Sequence, residues 1–183
     1  VAVADIDTKL AKKVAKENNL KAYTSYKALI NDPEIDAVSI CTPNSTHPEI
    51  GIAAAKAGKH VLTEKPIGTS LEEAEALIKT CKNNNKKLAV VKQVRLNPAV
   101  QELKKIIDAG KLGKILSANL TVRWNRNENY YRKSPWHGKK DTDGGTLITV
   151  ASHYIDVLQW LLGSVKSVVA KTRPHIIPGV EVE

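Results

Sequence analysis

The chain has 183 residues, 42% of them hydrophobic and 26% charged, the balance of a globular protein with room for one large domain or one and a half ordinary ones. Its formal charge of +9, from 28 basic and 19 acidic residues, rests on lysines scattered over helix faces, such as Lys9, Lys12, Lys13 and Lys16. There is no basic helix interleaved with aromatics, so nucleic acid is excluded as a partner, and the charge serves a solvated surface or the attraction of an anionic cofactor and substrate. Residues 1–5 form a short β-branched run and predict a strand. Residues 8–18 follow, with Leu10, Ala11, Val14 and Ala15 as one helical stripe and Asp7 as the N-cap. Further β-branched runs at 37–41, 60–64 and 88–92 predict three more strands. Before the last of them, Ser70-Leu71-Glu72-Glu73 reads as a capping box. It opens a helix along Ala74, Leu77, Ile78 and Cys81 that ends in Asn83-Asn84-Asn85. The apolar runs are nearly continuous, as in parallel strands covered on both faces, so this half predicts an α/β fold with a doubly wound parallel sheet.

After Asn97-Pro98 the texture changes. A helix through Val100, Leu103, Ile106 and Ile107 ends at Gly110, a suitable C-terminal residue. In residues 114–124, Ile115, Ala118, Leu120 and Val122 partly alternate against polar neighbours, which predicts a long strand of an antiparallel sheet. A polar loop over 125–143 leads through Gly144-Gly145 into a helix ending at Leu161-Leu162-Gly163, and 165–171 predicts another strand. Trp124 and Trp160 read as packing residues. No apolar run approaches the ~20 residues of a membrane helix, so no membrane partner is expected. Cys41 and Cys81 have neither metal-like nor disulfide-like spacing, which predicts free thiols, a cytoplasmic location and no metal site.

Three segments carry candidate chemistry. Asp5 ends the first strand, where an acid accepts hydrogen bonds from an adenosine ribose and repels the extra phosphate of NADP; the plain alternative is that it caps the next helix. No Gly-x-Gly-x-x-Gly pattern occurs, so a phosphate-binding turn is expected upstream of Val1. Cys41-Thr42-Pro43-Asn44-Ser45-Thr46-His47 lies at the carboxyl end of a strand, where ligands of open α/β sheets bind, although an ordinary strand-to-helix turn has the same look. Thr63-Glu64-Lys65-Pro66 has that placement one strand on. A lysine there can donate to a substrate hydroxyl or alkoxide, while Pro66 restricts the backbone of Lys65.

Thr-Pro-Asn-x-x-His, then Ala-Gly-Lys-His-Val-Leu-Thr-Glu-Lys-Pro, then Gly-Gly and His-Tyr-Ile-Asp resemble the Gfo/Idh/MocA oxidoreductase family over nearly the whole chain. The resemblance implies a Rossmann-type domain, here 1–94 and N-terminally incomplete. It also implies a C-terminal α/β domain with an open, mostly antiparallel sheet, here 95–183 and C-terminally incomplete. Its implied activity is hydride exchange between NAD and a sugar or polyol carbon, in a homo-oligomer. By residue, it implies Lys65 and His153 as catalytic, and Asp5, Thr42, Pro43, Asn44, His47, Glu64 and Lys65 along the cofactor. Many relatives carry Asp where this chain has Thr149, four residues before His153; a hydroxyl binds substrate but is no carboxylate base. Whether Lys65 or His153 takes the proton stays open.

The loop Tyr130-Tyr131-Arg132-Lys133-Ser134-Pro135-Trp136-His137-Gly138 supplies rings and cations suited to a nucleotide-sugar. It is similar to that of bacterial UDP-N-acetylglucosaminuronate 3-dehydrogenases in the same family. Tyr131, Arg132 and Trp136, with Arg95, Asn97, Thr149 and His153, are the expected substrate contacts. A free sugar or inositol, NAD-dependent glycosidase chemistry, and a non-catalytic NAD-binding homologue are the competing expectations.

Overall fold

The computed structural model describes residues 1–173 and 177–182, which fall into two compact units, Val1–Val91 and Lys92–Glu183. The first unit runs β1 (Ala2–Ala4), α1 (Thr8–Asn18), β2 (Lys21–Tyr23), α2 (Tyr26–Ile30), β3 (Ala37–Ile40), α3 (His47–Lys56), β4 (His60–Thr63), α4 (Leu71–Asn83) and β5 (Leu88–Val90). Every ladder is parallel: β1 pairs with β2, and β3, β4 and β5 form a second sheet in that order. Local chemistry fixes the helix starts. The Asp7 carboxylate accepts from the Lys9 and Leu10 amides at 2.9 and 3.1 Å, and the Ser70–Glu73 capping box closes in both directions. β2 and α2 have no counterpart in the expected strands and helices, because Lys-Ala-Tyr has neither a β-branched run nor clean alternation.

Burial corrects one expectation. In β3, Val38 and Ile40 are buried while Ala37 and Ser39 are exposed, and in β4 Leu62 is exposed between buried Val61 and Thr63. Among the described residues these two strands are therefore covered on one face, where α3 and α4 pack over the register pairs Val38–Val61 and Ile40–Thr63. The apolar core of the unit joins Ile30, Ile35, Ile50, Ala54, Ala55, Leu77 and Cys81 to those strand residues. Gly51 lets the two helices close: a Cβ there would sit 2.8 Å from Leu77 Cδ1.

The second unit contains α5 (Pro98–Asp108), α6 (Glu128–Arg132), α7 (Lys140–Asp143) and α8 (Ser152–Leu162), with a π-helical turn over Leu147–Ala151 ahead of α8. Asn97 caps α5 by accepting from the Ala99 amide at 3.0 Å, and Gly110 takes φ +68° just beyond its end. Two short helices, α6 and α7, occupy the segment expected to be a polar loop. Residues 114–124 and 165–171, expected as strands, pair with nothing among the described residues, and most of their side chains are exposed. Strand structure depends on a neighbour that takes the backbone groups and covers the apolar face; alternation in one segment cannot supply that neighbour. Trp124, expected as a packing residue, is 55% exposed and carries Arg126 over its ring at 5.0 Å. No helix among the described residues is long and apolar enough to cross a membrane.

Candidate functional site

In the first unit the candidate residues follow the carboxyl ends of strands. Asp5 comes directly after β1, and its Oδ1 accepts from the Asp7 amide at 2.8 Å. The Asp5 carboxylate thus shapes the turn and retains acceptor capacity, while helix capping falls to Asp7. After β3 the chain turns through Thr42 and Pro43 into a single 3-10 turn, Asn44–Thr46, and then α3. Thr46 Oγ1 donates to the Pro43 carbonyl at 2.7 Å, so the 2.6 Å contact between the Thr42 and Thr46 hydroxyls has Thr42 as donor. Asn44 is buried. Nothing in the pattern of the sequence singled out Thr46; the loop-internal hydrogen bonds reveal its part.

After β4, the Glu64 amide donates to the Ile40 carbonyl at 2.9 Å and so ties the Glu64-Lys65-Pro66 turn to the end of β3. Thr63, fully buried, donates from its hydroxyl to the Glu64 carbonyl at 3.1 Å. The Lys65–Pro66 peptide is cis, and Lys65 is half-buried. His47, expected in the cofactor loop, turns inward: it is 1% exposed, with Nδ1 2.7 Å from the Pro66 carbonyl oxygen and Nε2 2.8 Å from that of Thr42. An acid after β1, a polar turn after β3 and a glutamate–lysine turn after β4 thus each stand at the carboxyl end of a parallel strand, where ligands of open α/β sheets bind.

In the second unit His153 is buried in the first turn of α8, directly after the π-helical turn, an irregularity frequent at functional sites. Thr149 lies within that turn and donates from Oγ1 to the Gly145 carbonyl at 2.8 Å. Arg95 forms a fork with Asp156 of α8 at 2.7 and 2.6 Å and stacks over Trp160 at 5.5 Å. The Asp156 carboxylate raises the pKa of Arg95 above its ordinary value. Expected on substrate, Arg95 and Asn97 therefore both have intramolecular work, as anchor and as cap.

The aromatic loop stacks on itself. Tyr130 lies parallel to His137 at 4.4 Å with Arg126 over its ring at 4.5 Å. Trp136 meets the edge of His137 at 4.1 Å, and Arg132 pairs with Glu128 on the preceding turn of α6. Buried Asp143, absent from the expected site, holds the loop by accepting from the Gly138 amide at 2.7 Å. Tyr131 and Arg132 line a cavity of about 320 Å³ with Ser134, His137 and Lys139; Trp136 is outside it. Burial first, then the Asp143 charge, raises the pKa of Tyr131. Among the described residues no cluster of His, Cys, Asp and Glu is suited to a metal ion.

Residues 1–92 match the protein-family profile described as oxidoreductase family, NAD-binding Rossmann fold, of the GFO/IDH/MocA group. Residues 100–183 match the GFO/IDH/MocA C-terminal domain. The levoglucosan dehydrogenase of Pseudarthrobacter phenanthrenivorans is 37% identical over 172 residues, which cover 91% of this chain and 43% of that protein. The WlbA dehydrogenase of Chromobacterium violaceum, solved with NADH and UDP-GlcNAcA, superposes with a TM-score of 0.94 at 36% identity, covering 100% of this chain and 53% of its own. The WlbA dehydrogenase of Bordetella pertussis, solved with the same pair of molecules, gives 0.85 at 34% identity, with coverage of 89% and 47%. The chain thus spans about half the length of the relatives it matches.

Proposed function

Because the chain belongs to the Gfo/Idh/MocA oxidoreductase family, we propose that the complete protein is an NAD-dependent dehydrogenase acting on a secondary hydroxyl of a sugar, with a UDP-sugar uronate oxidised at C3 as its substrate. The observation that carries this reading is the Glu64-Lys65-Pro66 turn, held to the end of β3 by the Glu64 amide beside the Thr42-Pro43-Asn44 turn. Bound NAD supplies the hydride acceptor. Asp5 meets the ribose hydroxyls, and Thr42, Pro43, Asn44 and Glu64 line the nicotinamide half. Lys65 and His153 act on one substrate hydroxyl. One of the two takes its proton and the other holds the developing oxyanion, a division of labour that oxidation of an alcohol requires. Thr149 spends its hydroxyl proton on the Gly145 carbonyl, so it offers substrate a lone pair and does not replace a carboxylate base.

The nucleotide-sugar reading draws support from the cavity at Tyr131 and Arg132, with Lys139 on its wall, and from WlbA dehydrogenases solved with UDP-GlcNAcA. Trp136 adds its ring to the same loop. Similarity to levoglucosan dehydrogenase favours a second reading, oxidation of an underivatised sugar. A cytoplasmic homo-oligomer completes the proposal. Product analysis after incubating the complete protein with NAD and a panel of UDP-sugars and free sugars separates the readings. The expected result is a 3-keto UDP-sugar uronate; turnover of free sugars alone establishes the second reading, and no NADH from any of them sinks both. Cofactor titration tests Asp5, with NAD binding at least about tenfold more tightly than NADP, or about 1.4 kcal/mol. Equal affinities remove Asp5 from the ribose.

A further inference from the structure

Two backbone carbonyls, twenty-four residues apart in sequence, converge on one buried ring. His47 Nε2 lies 2.8 Å from the Thr42 oxygen and Nδ1 lies 2.7 Å from the Pro66 oxygen. Thr42 opens the turn after β3, and Pro66 follows Lys65 in the turn after β4. The ring is 1% exposed, so water cannot take over either contact. Its backbone is fixed as the first residue of α3, with Pro48 in the opening turn. Pro48 in turn lies against the chain beyond Pro66, since a Cβ on Gly68 would sit 3.0 Å from Pro48 Cγ.

We propose that His47 is a positioning residue that donates from both ring nitrogens, and by tying the Thr42 carbonyl to the Pro66 carbonyl sets the spacing between the Thr42-Pro43-Asn44 turn and Lys65. This rests on the reading of those turns as the NAD and catalytic segments. Carbonyl oxygens only accept, so a ring that serves both carries a proton on each nitrogen. Each ring nitrogen of this buried side chain thus has a backbone partner within hydrogen-bond distance, as buried polar atoms require. His47 touches neither cofactor nor substrate in this arrangement. Each nitrogen has a separate job: Nε2 holds the NAD-side turn and Nδ1 holds the turn that carries Lys65.

That separation gives the test. The side-chain amide of Asn reaches the place of Nδ1, and that of Gln reaches the place of Nε2. In the complete protein, His47→Asn keeps the tie to Pro66 and loses the tie to Thr42, so its loss falls mainly on NAD affinity, by about tenfold for one buried hydrogen bond and its stranded partner. His47→Gln keeps the Thr42 tie, so its loss falls mainly on single-turnover hydride transfer, again by about tenfold, with the smaller change in NAD binding. A purely structural role lowers both quantities in parallel with the folded fraction, and parallel losses in the two variants overturn the proposal. The wild-type protein offers an independent reading through nitrogen-15 spectra of the ring. Two protonated, slowly exchanging nitrogens are expected, and one bare nitrogen overturns the double tie even if both variants fail to fold. Failure of the dehydrogenase reading would show differently: no sugar would reduce NAD in the wild type, while the ring spectrum and the NAD-affinity loss in His47→Asn would stand.

Discussion

The two units hold their candidate residues by different physics. In Val1–Val91 the turns that carry Asp5, Asn44 and Lys65 grow from strands packed over an apolar core of Val38, Ile40, Val61, Leu77 and their neighbours. Among the described residues of Lys92–Glu183, Val157 and Val182 are the buried hydrophobics. Its candidate residues are held instead by polar and ring contacts: the Arg95–Asp156 fork, the Asp143–Gly138 bond and the stack of Arg126, Tyr130 and His137. The contrast shows where each kind of damage should register. Changes in the first unit's core act on folding, changes at its strand ends act on chemistry, and in the second unit one polar contact can do both.

The largest effect is expected where chemistry is cleanest. Lys65 is half-buried on a turn whose backbone is held by other residues, so Lys65→Ala should leave the first unit folded. Loss of one positioned donor or acid–base group lowers turnover by about 10² to 10⁴, and His153→Asn should lose a comparable factor. The measurement is single-turnover reduction of bound NAD in the complete protein. Wild-type rates in both variants would remove these residues from the chemistry and bring the non-catalytic alternative forward.

Next in size is the core itself. Leu77 has no exposed surface, lies against Gly51 and belongs to the same apolar core as Val61. Truncating a fully buried leucine costs about 2–5 kcal/mol, with the higher values where the cavity cannot collapse. Leu77→Ala should therefore lower the denaturant midpoint of the first unit sharply while leaving the residual folded protein able to bind NAD. A loss under about 1 kcal/mol would mean that the apolar core does not hold this unit, and the contrast between the units would fail.

The same contrast predicts a polar equivalent in the second unit. The Asp143 carboxylate is buried and accepts from the Gly138 amide, and a hydrogen bond to a charged group contributes about 1.5–3 kcal/mol. Asp143→Ala should release the segment bearing Tyr131 and His137, seen as faster amide exchange over 128–138 and weaker binding of a UDP-sugar. Unchanged exchange there would mean that ring stacking alone holds the loop.

How much of this could be read from residues alone follows the same division. The capping box at Ser70 and Glu73, the Asp7 cap and the strand runs at 37–41 and 60–64 were legible because local rules fix them. β2 was not, since three residues without a β-branched run acquire strand geometry only by pairing with β1. The His47 tie was invisible for another reason: its partners are backbone carbonyls, which leave no trace in residue identity. Arg95 and Asp156 are 61 positions apart, so a sequence shows two charged residues and not a fork. The strand expected at 114–124 marks the limit of partial alternation as a signal: it says nothing of the neighbour that would cover the apolar side chains.

The smallest effect sharpens the comparison from the first unit's polar edge. Asp32 accepts from the Tyr23 hydroxyl at 2.6 Å, from the Glu34 amide at 2.9 Å and from Lys21 at 3.2 Å. These bonds, that from Tyr23 first, hold its carboxyl down at about 2, below the ordinary 3.8. A carboxylate depressed in the folded state contributes stability that is present above the unfolded value and is lost as pH falls through the folded one. The first unit should therefore lose a small increment between about pH 4 and pH 2, and Asp32→Asn should flatten that part of the profile while changing little at pH 7. Lys21 is half-exposed, so salt screens its share and leaves the Tyr23 and Glu34 bonds to carry the effect. Acid titration of the unfolding midpoint at low and high salt checks both statements. A profile through this window that is identical in the wild type and in Asp32→Asn would show that the network does not bias folding, and that the first unit depends on its apolar core alone.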